Sequence, residues 1–284
     1  SEMCIRDSFN PFTQMFSTVI PPGLSGSFAG GVLTPSGNVA FVPSGHSNVG
    51  LFNPLNYEYS NLVDLGGPCS GYGCLDPYGN VFISGTANHV SINTRTGQYT
   101  NVTNQTGLSS GGSVLGPSGN VYLVPVNPSQ NVMVWNPWTF GTTNLTGTVF
   151  QTDFSGGVVT PTANIVLVPY GASNAVVLNP LSVTWSNVPH GSGSSAYSGG
   201  ILAPTGNVIF VPYNSSNVAT LDPSAMTISN VAAVPSTAGK FRGGRLVPDG
   251  RIVLTPGALA NVTVVNTQIP VPVDFCRSPY FNVF

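Results

Sequence analysis

The sequence predicts an all-β protein in which one four-stranded antiparallel unit is used six times. Three observations carry that prediction. The segment Gly30-Gly31-Val32-Leu33-Thr34-Pro35-Ser36-Gly37-Asn38-Val39 recurs along the 284 residues; its turn position falls at Gly37, Gly79, Gly119, Ala163, Gly206 and Gly250, in steps of 42, 40, 44, 43 and 44 residues. The apolar runs between these turns are short, β-branched and aromatic, and none keeps a helical period over ten residues. Gly and Pro, 34 and 25 residues, punctuate the runs at fixed offsets. A repeated unit of about 40–45 residues holding four strands is the pattern of a β-propeller blade.

Each element follows from local chemistry. Strand A is like Gly31–Thr34. The Pro-x-Gly-Asn run that follows makes a tight turn, since Gly and Asn tolerate positive φ. Strand B is like Val39–Val42 and meets Pro43, which has no N–H to give a ladder. Strand C is like Val49–Phe52, and Asn53-Pro54 opens the next turn; the same position holds Asn93, Asn136, Asn179, Asp222 and Asn266. Strand D is like Tyr57–Val63.

Phe9-Asn10-Pro11 repeats Phe52-Asn53-Pro54, so residues 9–20 read as an outer strand with no A, B or C before it. It closes the sixth blade, because closure removes exposed sheet edges, or it is what remains of a truncated earlier blade, which makes seven blades. The expected organisation is a single propeller domain over residues 9–268, then a Pro-rich tail over 269–284. Ser1 to Ser8, SEMCIRDS, resembles a translated sequencing adapter of the kind found in environmental assemblies, or is disordered.

The fifth copy shows the repeat most plainly: Gly206-Asn207-Val208, Val211-Pro212-Tyr213, Ser216-Asn217-Val218 and Leu221-Asp222-Pro223. These motifs resemble the propellers built of NHL-like or YVTN-like repeats, and more closely a set of protist and environmental propeller-repeat proteins. The resemblance implies an architecture and little about activity.

Composition excludes several functions. Only 6% of residues are charged, 7 basic against 9 acidic, for a net charge of −2. There is no basic footprint for nucleic acid and no apolar run long enough for a membrane span. A hydrophobic content of 41% is too high for a disordered chain. The surface must be built from neutral polar groups, and a chain so near neutrality tends to associate unless something covers it.

Candidate sites follow from residue type and position. Two residues before the Gly-Gly pair stand Phe28, Phe154, Tyr197 and Phe241, a possible ring of aromatics for stacking on sugars at one mouth of the channel, or packing between blades. Arg245 replaces an apolar strand-A residue, within the basic cluster Lys240, Arg242, Arg245 and Arg251. It is expected to face the channel and bind an anionic group, or to pair with Asp249 or Asp76. Cys69 and Cys74 are expected to form a local disulfide, pointing to an oxidising compartment; Cys276 has no evident partner. N-glycosylation sequons start at Asn101, Asn104, Asn144, Asn214 and Asn261. His46, His89 and His190 are scattered, with His46 and His190 expected in solvent-facing loops. No metal or other cofactor is expected.

Together these features lead to the expectation of a non-enzymatic, secreted, glycosylated structural propeller. It would be a subunit of an extracellular filament or cell-surface coat, with copies of itself and glycans as partners. A carbohydrate-binding propeller is the alternative, and a metal-dependent propeller hydrolase or lyase the third.

Overall fold

The computed structural model describes residues 7–10, 15–18, 27–85, 89–102, 110–127, 130–147, 153–247, 250–259 and 262–266. Every regular element among them is a β-strand. β1 (Asp7–Asn10) and β2 (Met15–Thr18) form a hairpin of their own. Blade one comprises β3 (Phe28–Leu33), β4 (Val39–Asn53) and the first half of β5 (Glu58–Leu75). Blade two takes the second half of β5, β6 (Val81–Gly85), β7 (His89–Ile92) and β8 (Tyr99–Asn101). Blade three is β9 (Ser110–Leu115), β10 (Val121–Pro125), β11 (Met133–Trp135) and β12 (Thr142–Asn144). Blade four is β13 (Phe154–Val159), β14 (Ile165–Pro169), β15 (Asn174–Asn179) and β16 (Thr184–Pro189). Blade five is β17 (Tyr197–Leu202), β18 (Val208–Pro212), β19 (Asn217–Asp222) and β20 (Thr227–Ala233). Blade six shows β21 (Phe241–Leu246), β22 (Arg251–Pro256) and β23 (Thr263–Asn266). The six antiparallel blades stand in a ring: the fold is a six-bladed β-propeller.

Two turns recur because the same atoms close them each time. At the A–B turn, Gly37 N–H donates to Thr34 O over 3.0 Å and Thr34 N–H to Asn38 O over 2.8 Å. The equivalent pair of bonds closes the turn in all six blades. The turn residue has φ between +79° and +87° at the five glycines and +63° at Ala163, which explains why glycine is preferred there. At the C–D turn the Asn or Asp side chain caps the loop: Asn179 Oδ1 accepts from Leu181 N and Ser182 N, and Asp222 Oδ1 from Ser224 N and Ala225 N. Four residues after that Asx position the backbone turns left-handed, at Tyr57, Gly97, Phe140, Val183 and Met226.

The structure extends strand A beyond the sequence reading. It starts at the aromatic residue and carries a bulge, seen as a register shift between Phe154 and Gly157 and between Tyr197 and Gly200. In blade one, β4 runs through Pro43 as far as Asn53, so strands B and C are continuous there. Pairing resumes past Pro43 through Ser44↔Ser70 and His46↔Cys69. The described sheet of blade six has three strands, and β2 pairs with β1.

The core lies between blades. Val158, Val166 and Val168 of blade four pack with Leu202, Val208 and Phe210 of blade five. Ile201, Ile209 and Val211 of blade five pack with Phe241, Ile252 and Leu254 of blade six. Each strand sends alternate side chains to its two neighbouring blades, so the central strands of blades two to five are apolar on both faces and fully buried.

Candidate functional site at one mouth of the propeller

The start of each strand A and the end of each strand B lie at the same mouth of the ring, and backbone hydrogen bonds make that mouth rigid in blades four to six. Asp153 O accepts from Tyr170, Gly171 and Ala172 N–H at 3.2, 3.1 and 3.3 Å. Ala196 O accepts from Tyr213, Asn214 and Ser215 N–H at 2.8, 3.2 and 3.1 Å. Adjacent blades are then tied together: Ala196 N–H donates to Tyr170 O at 2.9 Å, and Lys240 N–H to Tyr213 O at 3.0 Å.

On this frame stands a row of planar groups. The rings of Tyr170 and Tyr213 are 5.4 Å apart, and the Arg242 guanidinium lies over the Tyr213 ring at 4.9 Å from its centroid. Both tyrosines are half-buried and Arg242 is exposed. Beside them a hydroxyl cluster fills the loop between blades four and five: Ser192 Oγ is 3.0 Å from the Tyr197 hydroxyl and 3.5 Å from Ser215 Oγ. His190 orients that loop. Its Nε2 sits 2.7 Å from Ala172 O and therefore carries the proton, while Nδ1 accepts from Ser192 N–H at 3.1 Å. His46 is used in the same way in blade one, with Nε2 at 2.6 Å from Ser27 O and Nδ1 accepting from Asn48 N–H. Both histidines are half-buried anchors, His190 in a loop and His46 within β4, where solvent-facing loop positions were expected.

Other predicted site residues are placed differently from expectation. Phe28, Phe154, Tyr197 and Phe241 are buried in the blade cores, at most 6% exposed. The Tyr197 edge meets the His190 ring and its face tilts onto Phe210. These rings offer no face to a sugar, because strand A begins with them and turns them between the blades. Arg245 occupies the register position of Ile201, on the flank of blade six; burial lowers its guanidinium pKa to about 10. Asp76, its proposed partner, is taken up by its own turn, accepting from Tyr78 N–H, Asn80 N–H and Asn80 Nδ2. Asp249 lies outside the described residues.

The Cys69–Cys74 disulfide is corrected. Cys74 is a free thiol, fully buried beside Phe82 and Trp135, and burial pushes its pKa up to about 12. Both cysteines lie on the one strand β5, opposite His46 and Phe82 respectively. Five residues of extended chain separate their Cα atoms by about 16 Å, far beyond disulfide reach. Asn101, Asn144 and Asn214 are exposed, whereas Asn104, Asn261 and Cys276 lie outside the described residues.

His89 is packed in the core, as its strand-C position implied. It stacks on Phe82 at 6.2 Å, and burial lowers its pKa to about 4. Lys240 is buried, its Nζ donating to Thr237 O at 2.8 Å; desolvation lowers its pKa. Tyr170 was not singled out from the sequence. The signal that could have found it is an aromatic directly after the strand-B proline in two adjacent blades, Pro169-Tyr170 and Pro212-Tyr213.

No family model matches the chain, and no curated protein matches it. Solved structures do match. The chain is similar to virginiamycin B lyase from Staphylococcus aureus, at 11% identity and a TM-score of 0.76, over 88% of this chain and 84% of that one. A catalytically inactive histidine-to-alanine form of that lyase with quinupristin matches equally, at 12% identity and a TM-score of 0.76. A streptogramin B lyase is 11% identical with a TM-score of 0.69, over 87% of this chain and 86% of that one. The extracellular domain of a one-component system from B. thetaiotaomicron is 12% identical with a TM-score of 0.65, over 87% of this chain and 34% of that one. At such identities the likeness defines the propeller fold; NHL-like or YVTN-like membership does not follow from it. The expectation of a non-enzymatic structural or sugar-binding propeller is nevertheless corrected. Three of the similar structures are lyases, which are enzymes, and the aromatic ring on which sugar binding depended is buried.

Proposed function

We propose that the protein is a propeller enzyme of the lyase class, acting on a substrate held at the mouth by Tyr170, Tyr213 and Arg242. The carrying observation is the tyrosine–tyrosine–guanidinium row, fixed by backbone bonds on a fold that overlaps streptogramin B lyases. Planar side chains set in a row take up aromatic rings and amide planes. A guanidinium at the end of the row donates to carbonyl or carboxylate oxygens. In an elimination, a base removes a proton beside a carbonyl and the leaving group departs; Arg242 would stabilise the charge that builds on that carbonyl oxygen. Quinupristin, present with the inactive lyase among the similar structures, is the first compound to try at this row.

The metal-dependent form of this reading was tested on the donor set. Among the described residues no three His, Cys, Asp or Glu side chains converge on one point, so they do not fit a metal site. Among those residues, too, no helix is long and apolar enough to cross a membrane. Export of the chain is supported by the extracellular domain among the similar structures, and the exposed Asn101, Asn144 and Asn214 are open to glycans.

The test is incubation of the purified chain with quinupristin, followed by mass spectrometry. Elimination yields a product without an added water. Arg242→Ala and Tyr213→Ala should each lower kcat/KM at least about tenfold, a loss of about 1.4 kcal/mol of transition-state stabilisation, with unchanged thermal midpoints. No turnover of quinupristin would overturn the reading.

A further inference from the structure

The face of the ring opposite the mouth carries both kinds of recurring turn. Strand A runs from the mouth to the A–B turn, and strand C runs the same way to the C–D turn, so these turns lie together at the far end of the blades. Large apolar side chains stand in water there. Leu55 is 91% exposed and Leu181 75%, and Tyr57, Tyr78, Trp138 and Phe140 are exposed as well. Leu55, Trp138 and Leu181 hold one position of the repeat, two residues after Asn53, Asn136 and Asn179. Equivalent positions in a ring of blades stand at one height. The three side chains are therefore separate tips in one plane, not the walls of a groove.

The backbone of these tips is suited to leaving water. Each tip follows a proline, Pro54, Pro137 or Pro180, which has no N–H. The N–H of the tip residue is already bonded within the turn. Asn53 Oδ1 accepts from Leu55 N at 2.9 Å, Asn136 Oδ1 from Trp138 N at 2.9 Å, and Asn179 Oδ1 from Leu181 N at 3.0 Å. Bare amides are what ordinarily keeps a loop tip out of an apolar medium, and the Asx cap removes that cost at each tip.

The aromatic groups beside the tips are fixed in place. The Trp138 ring lies on the A–B turn of its own blade, where a Cβ on Gly119 would need to be. It meets the Tyr78 ring of blade two edge-on at 6.0 Å. Trp and Tyr, apolar in body and polar at one edge, favour the headgroup level of a bilayer. Charge then selects the kind of lipid. The three tip turns, residues 53–58, 136–142 and 179–184, carry one charged side chain, Glu58, whose carboxylate accepts from Asn56 Nδ2. They offer no basic group to an anionic headgroup, and a neutral apolar plane matches a neutral one.

We propose that this face docks on the surface of a zwitterionic lipid bilayer. Leu55, Trp138 and Leu181 enter the headgroup layer, and the mouth is turned to the water. The docking face is on the far side of the ring from Tyr170, Tyr213 and Arg242, so the proposal does not depend on the lyase reading.

The test is co-flotation of the purified chain with phosphatidylcholine vesicles. The chain should float with them and its tryptophan emission should shift to the blue, and Trp138→Phe should remove most of that shift. Leu55→Lys and Leu181→Lys should each lower the partition at least about tenfold, with unchanged thermal midpoints because both side chains are exposed. Arg95 holds the tip position of blade two, and Arg95→Leu should strengthen the partition by adding a fourth tip. Phosphatidylserine in the vesicles or high salt should change it less than about twofold. Absence of flotation overturns the proposal, as does flotation that both lysine variants leave unchanged. Flotation that requires phosphatidylserine and is lost in high salt overturns it too. So does a dimer of the chain, formed without vesicles, that Leu181→Lys dissociates, since a second copy would then cover this face.

Discussion

Phe210 and Phe41 hold the same place in the repeat, yet they are buried by different means. Phe210 of blade five is sealed by another blade, lying in one cluster with Val158, Val166 and Val168 of blade four. Phe41 of blade one is sealed by its own blade's aromatics. On the outgoing faces the contrast is sharper: Ile209 is buried at 4% exposure and its counterpart Val253 is only half-buried. A blade strand has an apolar face by sequence, but whether that face contributes stability depends on a neighbour being there.

Substitution should separate the two regions. Phe210→Ala removes a ring from a fully enclosed site and should cost about 3–5 kcal/mol in denaturant unfolding. Val253→Ala, at a half-buried position of blade six, should cost about 1 kcal/mol or less. A cost for Val253→Ala near that of Phe210→Ala would show that the two positions are enclosed alike.

The second way to sharpen the comparison uses pH. Strand C carries an apolar residue at Val49, Val132, Ala175, Val218 and Val262, and blade two alone has a histidine there, His89. Its pKa is lowered from 6.5 to about 4 by burial. The unfolded chain therefore binds the proton more readily than the folded one. The stabilisation from keeping this ring neutral is complete above pH 6.5 and is lost as the pH falls toward 4, by at most about 3 kcal/mol. His89→Phe should abolish that acid-dependent loss in thermal melts. An unchanged pH profile in the variant would place the acid sensitivity elsewhere.

The smallest expected effect concerns the C–D turns. Val183 has a φ of +54°, where the equivalent residue of blade two is Gly97 with +70°. A β-branched residue in that region is strained by roughly 1–2 kcal/mol. Val183→Gly relieves the strain while loosening the unfolded chain, so a net gain of about 1 kcal/mol is expected from chemical denaturation. Tyr57→Gly on blade one makes the parallel test; a loss of stability at both sites would show that these side chains pack usefully despite the backbone.

The turns were the most legible part of the sequence, because their chemistry is local. A glycine that must take positive φ and an Asx oxygen that caps the next two amides act within five residues, so Gly206 and Asp222 announce themselves without any tertiary information. The mouth was much less legible. Tyr170 and Tyr213 are 43 residues apart in sequence and meet only because consecutive blades bring the ends of their B strands together. The aromatic ring of Phe28, Phe154, Tyr197 and Phe241 misled for the opposite reason. Its spacing was correctly read, but which way a side chain turns at the start of a strand depends on a bulge that the Gly-Gly pair creates.

The sequence by itself determined the strand count per blade, the turn types and the repeat length, since backbone preferences and alternating apolar patterns are short-range and were present six times over. Only the tertiary structure decided which faces are buried, that Cys74 is an enclosed thiol rather than half of a disulfide, and that Arg242, Tyr213 and Tyr170 share one mouth. Those outcomes depend on contacts between blades, and a repeat writes the same local instructions into every blade whatever stands beside it.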